Sequence, residues 1–440
     1  MKIALVSHLF TPISGGGRST YLFNLINGLN QIGDKTIKIC LKLQDEPPSS
    51  VIKGIKILKF PKKPLNKNLL SVYNNFNNII YKGCHNIALN EKNFLNNGYN
   101  EYCKINFQLS KHLNELVQKH KIDIVHIHDF QLLLAYKYIK KVPLVLTWHI
   151  PFSDSIPNLL KQFIIRHMKE YNKVIFSCKV YAKSAVKSGL SKNKFEIIYP
   201  ITNTNLFKSK KYGNKLKKLY KIPKDYKILL CVQRIDAKSG HEQLIKALPR
   251  IIKEFPKVKL MFVGGVPLEN KLLQDPSYIK KIKKLIRSLN LKQYIIFTGP
   301  IKHEKLPMYY NSSDIVALTS RNEGFGLAIT EAMACGKPII GTNVPGIAQQ
   351  VQNGANGFLV EVNDFEITAE KILSLLSNKK LRIRMGRESI QLVKTNFQIS
   401  KGINKHHKLY KRLIRLKCKN DLLCGLKPRS IPIFKLNHDA

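Results

Sequence analysis

The sequence predicts an α/β protein made of two open, doubly wound domains that face each other across a cleft. Three observations support this fold class. The chain of 440 residues exceeds the size at which one hydrophobic core keeps growing. Short apolar strands alternate with amphipathic helices, as they do in parallel sheets. The alternation breaks at residues 197–215 and then restarts, so both halves are expected to share one architecture.

The first half begins with the apolar strand KIALVSH, a loop with three glycines and a helical segment, TYLFNLINGLNQIG. Strand, glycine loop and helix form the first unit of a parallel sheet. Further strands are predicted at TIKICLKL, IDIVHIHD, VPLVLTWH and KVIFSC. Residues 51–107 are rich in Asn, Lys and Tyr and follow no clear period, so they are expected to form an irregular insertion.

The second half repeats the pattern, with strands predicted at YKILLCVQR, VKLMFVGG, YIIFTGP, DIVALTS and KPIIGT. We place the first domain at residues 1–203 and the second at residues 204–385. Residues 386–417 are predicted to form basic helices that pack back, and residues 418–440 a tail. Facing strand ends of two such domains would form a cleft.

The charge balance is strongly positive, with 74 Lys and Arg against 28 Asp and Glu, a formal +46. This favours an anionic partner, although a solvated, lysine-biased surface gives the same count. A nucleic-acid-binding protein is the rival interpretation. The sequence shows no zinc finger, RNP-like motif or helix-turn-helix, so no nucleic acid is expected. Basic helices at 159–173 and 401–417 instead suggest contact with an anionic membrane surface.

The cellular location is suggested by what the sequence lacks. MKIALVSHLF does not resemble a signal peptide, and no apolar run approaches the ~18 residues of a spanning helix. The eight cysteines include no C-x-x-C pair, which favours free thiols in a reducing compartment. We therefore expect a cytoplasmic protein that can bind peripherally to the membrane. Cys335 is expected to serve packing.

Two motifs suit phosphate chemistry. SGGGRS fails the dinucleotide pattern, because Thr20 holds the place of the third glycine, and it lacks the Gly-Lys-Ser/Thr of a P-loop. It remains a glycine turn at a helix N-terminus, which can bind a phosphate or sugar or can simply be a tight turn.

In CVQRIDAKSG, Arg234 and Lys238 follow a buried strand. Two cations at this edge can clamp a diphosphate, or they can be ordinary surface charges.

The stretch SRNEGFGLAITEAMACGKP carries the strongest signal. Its Gly-Phe-Gly turn lets Glu323 precede a helix that contains Glu331, so both carboxylates can address a ligand at the helix N-terminus. Unpaired N–H groups and the helix dipole favour an anion there. Carboxylates accept paired hydrogen bonds from vicinal hydroxyls, which ribose and hexose both display.

Together these motifs resemble the retaining glycosyltransferases of family 4, the group 1 nucleotide-sugar transferases of GT-B architecture with two Rossmann-like domains. The resemblance covers residues 1–415 and includes EGFGLAITE, QRIDAKSG, SGGG, DIVHIHD, TWHIPF and LPMYYNSSDIVALTS. It implies a C-terminal helix that crosses back to the first domain. It also implies transfer of a hexose to a glycan or lipid-linked acceptor, as in glycoconjugate synthesis. A non-catalytic nucleotide-sugar sensor is the other alternative.

The resemblance implies specific roles. Glu331 would bind the ribose hydroxyls and Glu323 the hydroxyls of the donor sugar, assisted by the backbone N–H groups of Phe325, Gly326 and Leu327. The catalytic cations would be Arg234 and Lys238, which would neutralise the departing diphosphate.

On the first domain, Gly16 and Gly17 would approach the diphosphate or donor sugar, and His149 would position the donor sugar and the acceptor. Retention by front-face attack requires no carboxylate nucleophile, and no metal or other cofactor is implied. HIHD, with His126 and His128 on one strand face, allows a metal-site interpretation, but a strand end that lines the cleft explains it better. His406 and His407 are expected on a helix surface.

Overall fold

The computed structural model describes residues 1–10, 17–42, 47–61, 65–87, 97–265 and 276–425. It contains two sheets with helices on their faces, and the predicted fold class is confirmed. The central strands of the first sheet are buried along their whole length. Burial on both faces explains why these strands appear in the sequence as continuous apolar runs.

Within the described residues, the first sheet has eight strands: β1 (Lys2–Ser7), β2 (Lys35–Leu41), β3 (Ser49–Ile52), β4 (Ile55–Phe60), β5 (Ile124–His128), β6 (Leu144–Trp148), β7 (Lys173–Phe176) and β8 (Phe195–Ile197). Their spatial order is β3-β4-β2-β1-β5-β6-β7-β8, and only the β3–β4 pair is antiparallel. The accompanying helices are α1 (Gly17–Gln31), α2 (Lys67–Cys84), α3 (Tyr99–His120), α4 (Asn158–Met168) and α5 (Lys179–Lys187).

The structure corrects the interpretation of residues 51–107 as an irregular insertion. Strands β3 and β4 extend the first sheet, and α2 and the first part of α3 occupy much of the remainder. Along α2, Tyr73, Phe76, Ile80 and Cys84 are fully buried at helical spacing. Because asparagines and lysines separate these apolar residues, the helical period is not apparent in the sequence. Residues 62–64 and 88–96 of this segment lie outside the described residues.

The second sheet is parallel throughout, in the order β11-β10-β9-β12-β13-β14. Its strands are β9 (Lys227–Val232), β10 (Val258–Val263), β11 (Ile295–Phe297), β12 (Ile315–Leu318), β13 (Ile339–Thr342) and β14 (Gly357–Val360). The helices of this half are α6 (Lys215–Leu219), α7 (His241–Glu254), α8 (Pro276–Ser288), α9 (Leu306–Ser312), α10 (Leu327–Ala334), α11 (Pro345–Ala348), α12 (Phe365–Ser377) and α13 (Lys379–Leu392).

The last helix, α14 (Ile399–Gly425), returns to the first domain, as predicted. The chain crosses where the Thr202 N–H donates to the Phe397 carbonyl oxygen at 3.1 Å. A Cβ on Gly28 of α1 would lie 2.5 Å from the side chain of Ile403, so glycine permits the close packing of α1 on α14. Within the described part of the chain, no helix has the length and apolar character needed to cross a membrane.

The expectation that His406 lies on a helix surface is wrong. His406 is fully buried between α14 and α1, where its Nε2 lies 2.8 Å from the Tyr21 hydroxyl. Burial, with Lys405 nearby, lowers the pKa of His406 to about 4, so the ring is neutral. Its neighbour His407 is partly exposed and contacts Asp34 at 2.7 Å. Both histidines thus help to attach α14 to the first domain.

Candidate active site

One cleft of about 460 Å³ lies between the two domains, at the carboxyl ends of the central strands. Ligands of open α/β sheets bind at this end of the strands. The start of α1, helix α2, the loops after β5, β6, β9 and β12, and α10 contribute to its walls. Nine predicted site residues line it: Gly17, His149, Arg234, Lys238, Glu323, Phe325, Gly326, Leu327 and Glu331. The tenth, Gly16, lies outside the described residues.

The EGFG loop, residues 319–326, joins β12 to α10 and places Glu323 before the helix and Glu331 within it. Gly326 is the N-cap residue of α10, and its φ of +85° belongs to the left-handed region that favours glycine. A Cβ on Gly324 would lie 2.1 Å from the carbonyl oxygen of His149 in the first domain. Glycines therefore permit both the turn and the close approach of the two domains.

Glu331 is held on two sides by the second domain. Its Oε1 contacts His303 Nε2 at 2.7 Å, and its Oε2 accepts a hydrogen bond from the Tyr310 hydroxyl at 2.9 Å. The carboxylate still faces the cleft, and its further lone pairs can accept hydrogen bonds from a ligand. Sequence reasoning missed both partners, although Tyr310 lies in the motif LPMYYNSSDIVALTS.

The His303–Glu331 pair predicts a pH-dependent stability. Burial disfavours the charged form of His303, but Glu331 outweighs burial and raises the pKa of His303 above 6.5. The stabilisation is therefore complete below the unfolded-state pKa and is lost as the pH rises through the raised folded-state pKa. Denaturant unfolding at several pH values should show this loss for the wild type. The H303Q variant should lack it, and the H120Q control should retain it.

An unchanged pH profile in H303Q would contradict the assignment of this ion pair. His120 is a suitable control because its ring, at the end of α3, takes part in no ion pair within the described residues. The comparison therefore isolates the effect of the contact with Glu331 from that of replacing a histidine elsewhere in the chain.

Lys238 contacts the other glutamate. Its Nζ lies 3.2 Å from Glu323 Oε2, which also accepts a hydrogen bond from the Ser320 hydroxyl at 3.2 Å. Burial favours the neutral amine, but Glu323 and other acidic neighbours outweigh burial, and the pKa of Lys238 is raised. Lys238 is thus a permanently charged group in the cleft. Arg234 lies on the same loop, is 41% exposed, and has Asp236 3.9 Å from its Nη2.

The first domain contributes His149, which directly follows β6. Its Nε2 lies 3.2 Å from His128 Nδ1, and its backbone N–H donates to Asp129 Oδ1 at 3.4 Å. Burial first, and then the positive charge of Arg18, lower the pKa of His149 to about 3, so the imidazole is neutral. Arg18 in turn contacts Asp129 at 3.3 Å and Gln131 at 3.0 Å. The sequence placed the end of the HIHD strand, which includes Asp129, at the cleft, but it did not identify Arg18 or Gln131 as parts of the wall.

The buried histidines of HIHD are joined to protein groups. His126 Nδ1 lies 2.6 Å from the Tyr410 hydroxyl, and its Nε2 lies 2.7 Å from the Thr147 hydroxyl. His128 contacts the His149 ring. Within the described ranges, no group of three or more His, Cys, Asp or Glu side chains is arranged to hold a metal ion. Cys335 is also buried, which raises the pKa of its thiol to about 12 and suits a packing role.

The first domain also holds the backbone of the EGFG loop directly. The Tyr181 hydroxyl donates to the Glu323 carbonyl oxygen at 2.5 Å, and the Ser177 hydroxyl donates to the Gly324 carbonyl oxygen at 2.7 Å. Gln349 Nε2 of the second domain donates to the Ser177 carbonyl oxygen at 2.8 Å. The position of Glu323 in the cleft therefore depends on contacts from both domains.

Known proteins match both halves of the chain. The model of the Glycosyltransferase Family 4 domain matches residues 15–206, and that of the group 1 glycosyl transferases matches residues 214–392. N-acetyl-alpha-D-glucosaminyl L-malate synthase of Bacillus anthracis is 27% identical over 325 residues, 72% of this chain and 81% of that protein. Trehalose synthase of Thermococcus litoralis is 29% identical over 317 residues, 70% of this chain and 73% of that protein.

A solved structure shows the same fold. Anabaena HepE, determined in complex with UDP and glucose, superposes with a TM-score of 0.72 at 18% sequence identity. The match covers 93% of this chain and 99% of that chain. The two-domain arrangement with its central cleft is thus the GT-B architecture. With both halves matched by the corresponding family models, the chain belongs to the group 1 glycosyltransferases of family 4.

Proposed function

We propose that the protein transfers a hexose from a nucleoside diphosphate sugar to an acceptor hydroxyl, with retention of anomeric configuration and without a metal ion. One observation carries this proposal. The cleft brings Arg234 and Lys238 together with Glu323, Glu331 and the N-terminus of α10. Two cations and a helix N-terminus suit a diphosphate, and the two carboxylates suit the sugars on either side of it.

Glu331 is the proposed anchor for the ribose. His303 and Tyr310 hold its two oxygens, so the carboxylate is oriented before the ligand arrives. Vicinal hydroxyls can then donate to its remaining lone pairs without rearrangement of the helix. The backbone N–H groups of Phe325, Gly326 and Leu327, around the start of α10, are proposed to assist in donor binding.

Glu323 is the proposed ligand of the donor sugar, with Gly16, Gly17 and His149 approaching from the first domain. Because Lys238 and Ser320 both contact Oε2, the carboxylate is fixed in orientation and can accept hydrogen bonds from sugar hydroxyls through its further lone pairs. His149 is neutral at physiological pH, so it acts by hydrogen bonding and not as a charge.

Arg234 and Lys238 are proposed to stabilise the negative charge that develops on the diphosphate as it departs. The bond from the anomeric carbon to the phosphate oxygen breaks, and the acceptor oxygen bonds to the same face of that carbon. The departing phosphate oxygen takes the acceptor proton. This front-face reaction requires no covalent enzyme intermediate, so the two glutamates bind hydroxyls and do not act as the acid and base of a glycosidase.

The acceptor is proposed to be a glycan or a lipid-linked sugar, in the synthesis of a glycolipid, polysaccharide or other surface glycoconjugate. The wall on the first-domain side supports a hydroxylated acceptor, because Asn74, Asn77 and Tyr81 of α2 line it together with Gln131. Amide side chains both donate and accept hydrogen bonds and so match sugar hydroxyls.

A panel of UDP, GDP and ADP with their sugars tests the proposal. Thermal shift should show stabilisation by one nucleotide family, and turnover should follow with an added acceptor. If no nucleotide of the panel stabilises the wild type, the donor assignment fails. Stabilisation without turnover across a broad acceptor panel would instead support the nucleotide-sugar sensor.

Contact with an anionic membrane would bring the enzyme to a lipid-linked acceptor. On α4, Leu159 is 65% exposed and Arg166, two turns later on the same helix, is also exposed. On α14, Leu416 is 52% exposed and follows the exposed Arg415. Exposed apolar side chains next to cations suit an anionic lipid surface. Co-sedimentation should show preference for anionic over neutral vesicles and should weaken in R166E/R415E. Equal binding to both vesicle types would refute membrane contact of this kind.

A further inference from the structure

A second cavity of about 440 Å³ lies in the second domain, apart from the cleft. We call it the basic groove. It runs between α7 and α8 and is bordered by the EGFG loop and by the start of α12. None of its lining residues lines the cleft, and the roles proposed above for catalysis and donor binding do not involve it.

Cations predominate along the basic groove. Lys246 of α7, Lys281 and Lys284 of α8, and Arg321 of the EGFG loop all line it, and among the described residues of its wall Glu242 is the one carboxylate. The two lysines of α8 are three positions apart and so share a helix face. Among the described residues, four cations and one carboxylate therefore give the groove an excess of three positive charges, which favours an anionic ligand.

Glu242 pairs with two of these four cations and offsets only one of their charges. Its Oε2 accepts a hydrogen bond from the Tyr278 hydroxyl at 2.6 Å, and its Oε1 lies 3.3 Å from Lys281 and 3.5 Å from Arg321. The Glu242 side chain is 7% exposed, whereas those of Lys281 and Arg321 are 66% and 40% exposed. The carboxylate therefore sits at the floor, and the cations extend above it toward solvent.

The basic groove also has an apolar part. Leu285 of α8 and Phe365 at the start of α12 line it, and Lys246 Nζ lies 5.6 Å from the centre of the Phe365 ring. An inorganic ion needs no such surface. The combination of cations with a partly exposed ring and an aliphatic side chain fits a charged group attached to a small organic body.

Arg321 connects the basic groove to the cleft. Its backbone N–H donates to the Lys238 carbonyl oxygen at 2.7 Å, and Glu323 lies two residues later in the same loop. Gly240, the N-cap residue of α7, packs so closely on this loop that a Cβ there would lie 1.9 Å from the Thr319 carbonyl oxygen. A ligand that contacts both Arg321 and α7 thus touches the two elements that hold Lys238 and Glu323 together.

We propose that the basic groove is a second ligand site, which binds a small phosphate monoester such as a sugar phosphate. Lys246, Lys284 and Arg321 hold the phosphate, and the organic part lies on Leu285 and Phe365. Because the ligand joins the EGFG loop to α7, it stabilises the Lys238–Glu323 arrangement. Its occupancy therefore lowers KM for the donor and does not compete with the donor.

Calorimetric titration with glucose 6-phosphate as the probe tests this site, and inorganic phosphate is the second probe. The K281A/K284A variant should bind glucose 6-phosphate at least about tenfold more weakly, because it loses the charge-assisted contact of Lys284 and the nearby positive charge of Lys281. The matched K280A/K283A variant removes the same charge from exposed positions of the same helix that lie outside the groove, and should bind like the wild type.

The R234A/K238A variant distinguishes the groove from the cleft and should retain the affinity for glucose 6-phosphate. Loss of binding in this variant alone would place the probe in the cleft and overturn the proposal. Equal losses in both α8 pairs would show unspecific charge attraction and would also overturn it. Inorganic phosphate that binds as tightly as the ester would exclude a role for Leu285 and Phe365.

A kinetic experiment tests the connection to the cleft separately. Saturating glucose 6-phosphate should lower the donor KM in the wild type and in K280A/K283A but not in K281A/K284A. Competitive inhibition in all three proteins would contradict the proposed coupling. The binding result does not depend on the identity of the donor, so failure of the proposed glycosyl transfer and failure of this site are distinguishable.

Discussion

Replacing Lys238 with alanine is expected to lower kcat about 10²- to 10³-fold, the usual effect of removing one preorganised group that stabilises transition-state charge. Lys238 stays charged despite its burial, because Glu323 and other acidic neighbours raise its pKa, and it lies 3.2 Å from the Glu323 carboxylate in the cleft. The charge that it offsets is larger on the departing diphosphate than on the bound donor. KM should therefore change much less than kcat in steady-state kinetics with varied donor.

A matched control is available in the helix that follows Lys238. Lys253 is an exposed cation of α7, the helix that follows Lys238, and does not line the cleft. K253A should keep kcat within about twofold, because surface substitutions away from special features change little. If K238A raised KM and left kcat unchanged, Lys238 would contribute uniform binding and not transition-state stabilisation.

A second variant tests whether K238A lowers kcat through the lost contact with the diphosphate or through the unpaired charge that it leaves on Glu323. K238A leaves Glu323 without its cation in a partly buried position, and this alone can disturb the loop. The double variant K238A/E323Q removes both charges. If K238A acts through the diphosphate, the double variant should be no more active than K238A, whereas recovery of kcat would indicate that the unpaired Glu323 caused the loss.

Most of the fold could be predicted because strands of a parallel sheet that are buried on both faces have continuous apolar sequences. The predicted strands of both sheets are present, including IDIVHIHD as β5 and DIVALTS as β12. Strands β3, β4, β8 and β14 were not predicted. They have three to six residues, and β3 alternates between exposed and half-buried positions, so local patterns are weak. These strands are stabilised by pairing with neighbouring strands toward the edges of the two sheets, and this tertiary contact is not visible in the local sequence.

The residues of the candidate site could be predicted where one short segment fixes their geometry. Glu323 and Glu331 are separated by a glycine turn, and their placement around the start of α10 follows from that turn. Partners from distant segments could not be predicted in this way. Tyr181 reaches Glu323 from the other domain, and His303 reaches Glu331 from 28 residues away, so packing of the whole chain decides both contacts.

Replacing Glu331 with alanine is expected to weaken binding of the cognate nucleotide at least about 100-fold. Two hydrogen bonds to a charged acceptor contribute roughly 1.5–3 kcal/mol each, and a factor of ten corresponds to about 1.4 kcal/mol. Calorimetric titration with the nucleoside diphosphate found by the panel measures the effect. E331A should also lower the free energy of unfolding by about 1–3 kcal/mol, because the Tyr310 hydroxyl loses its buried acceptor.

The affinity loss must be separated from this loss of stability, and E331Q provides the separation. Glutamine keeps the shape and one acceptor oxygen but removes the negative charge, so the variant should unfold closer to the wild type. If the carboxylate binds ribose hydroxyls, E331Q should still bind nucleotide clearly more weakly than the wild type, and both variants should bind inorganic diphosphate normally through Arg234 and Lys238. An E331Q protein with wild-type nucleotide affinity would leave Glu331 as a structural partner of His303 and Tyr310 and would place the ribose elsewhere in the cleft.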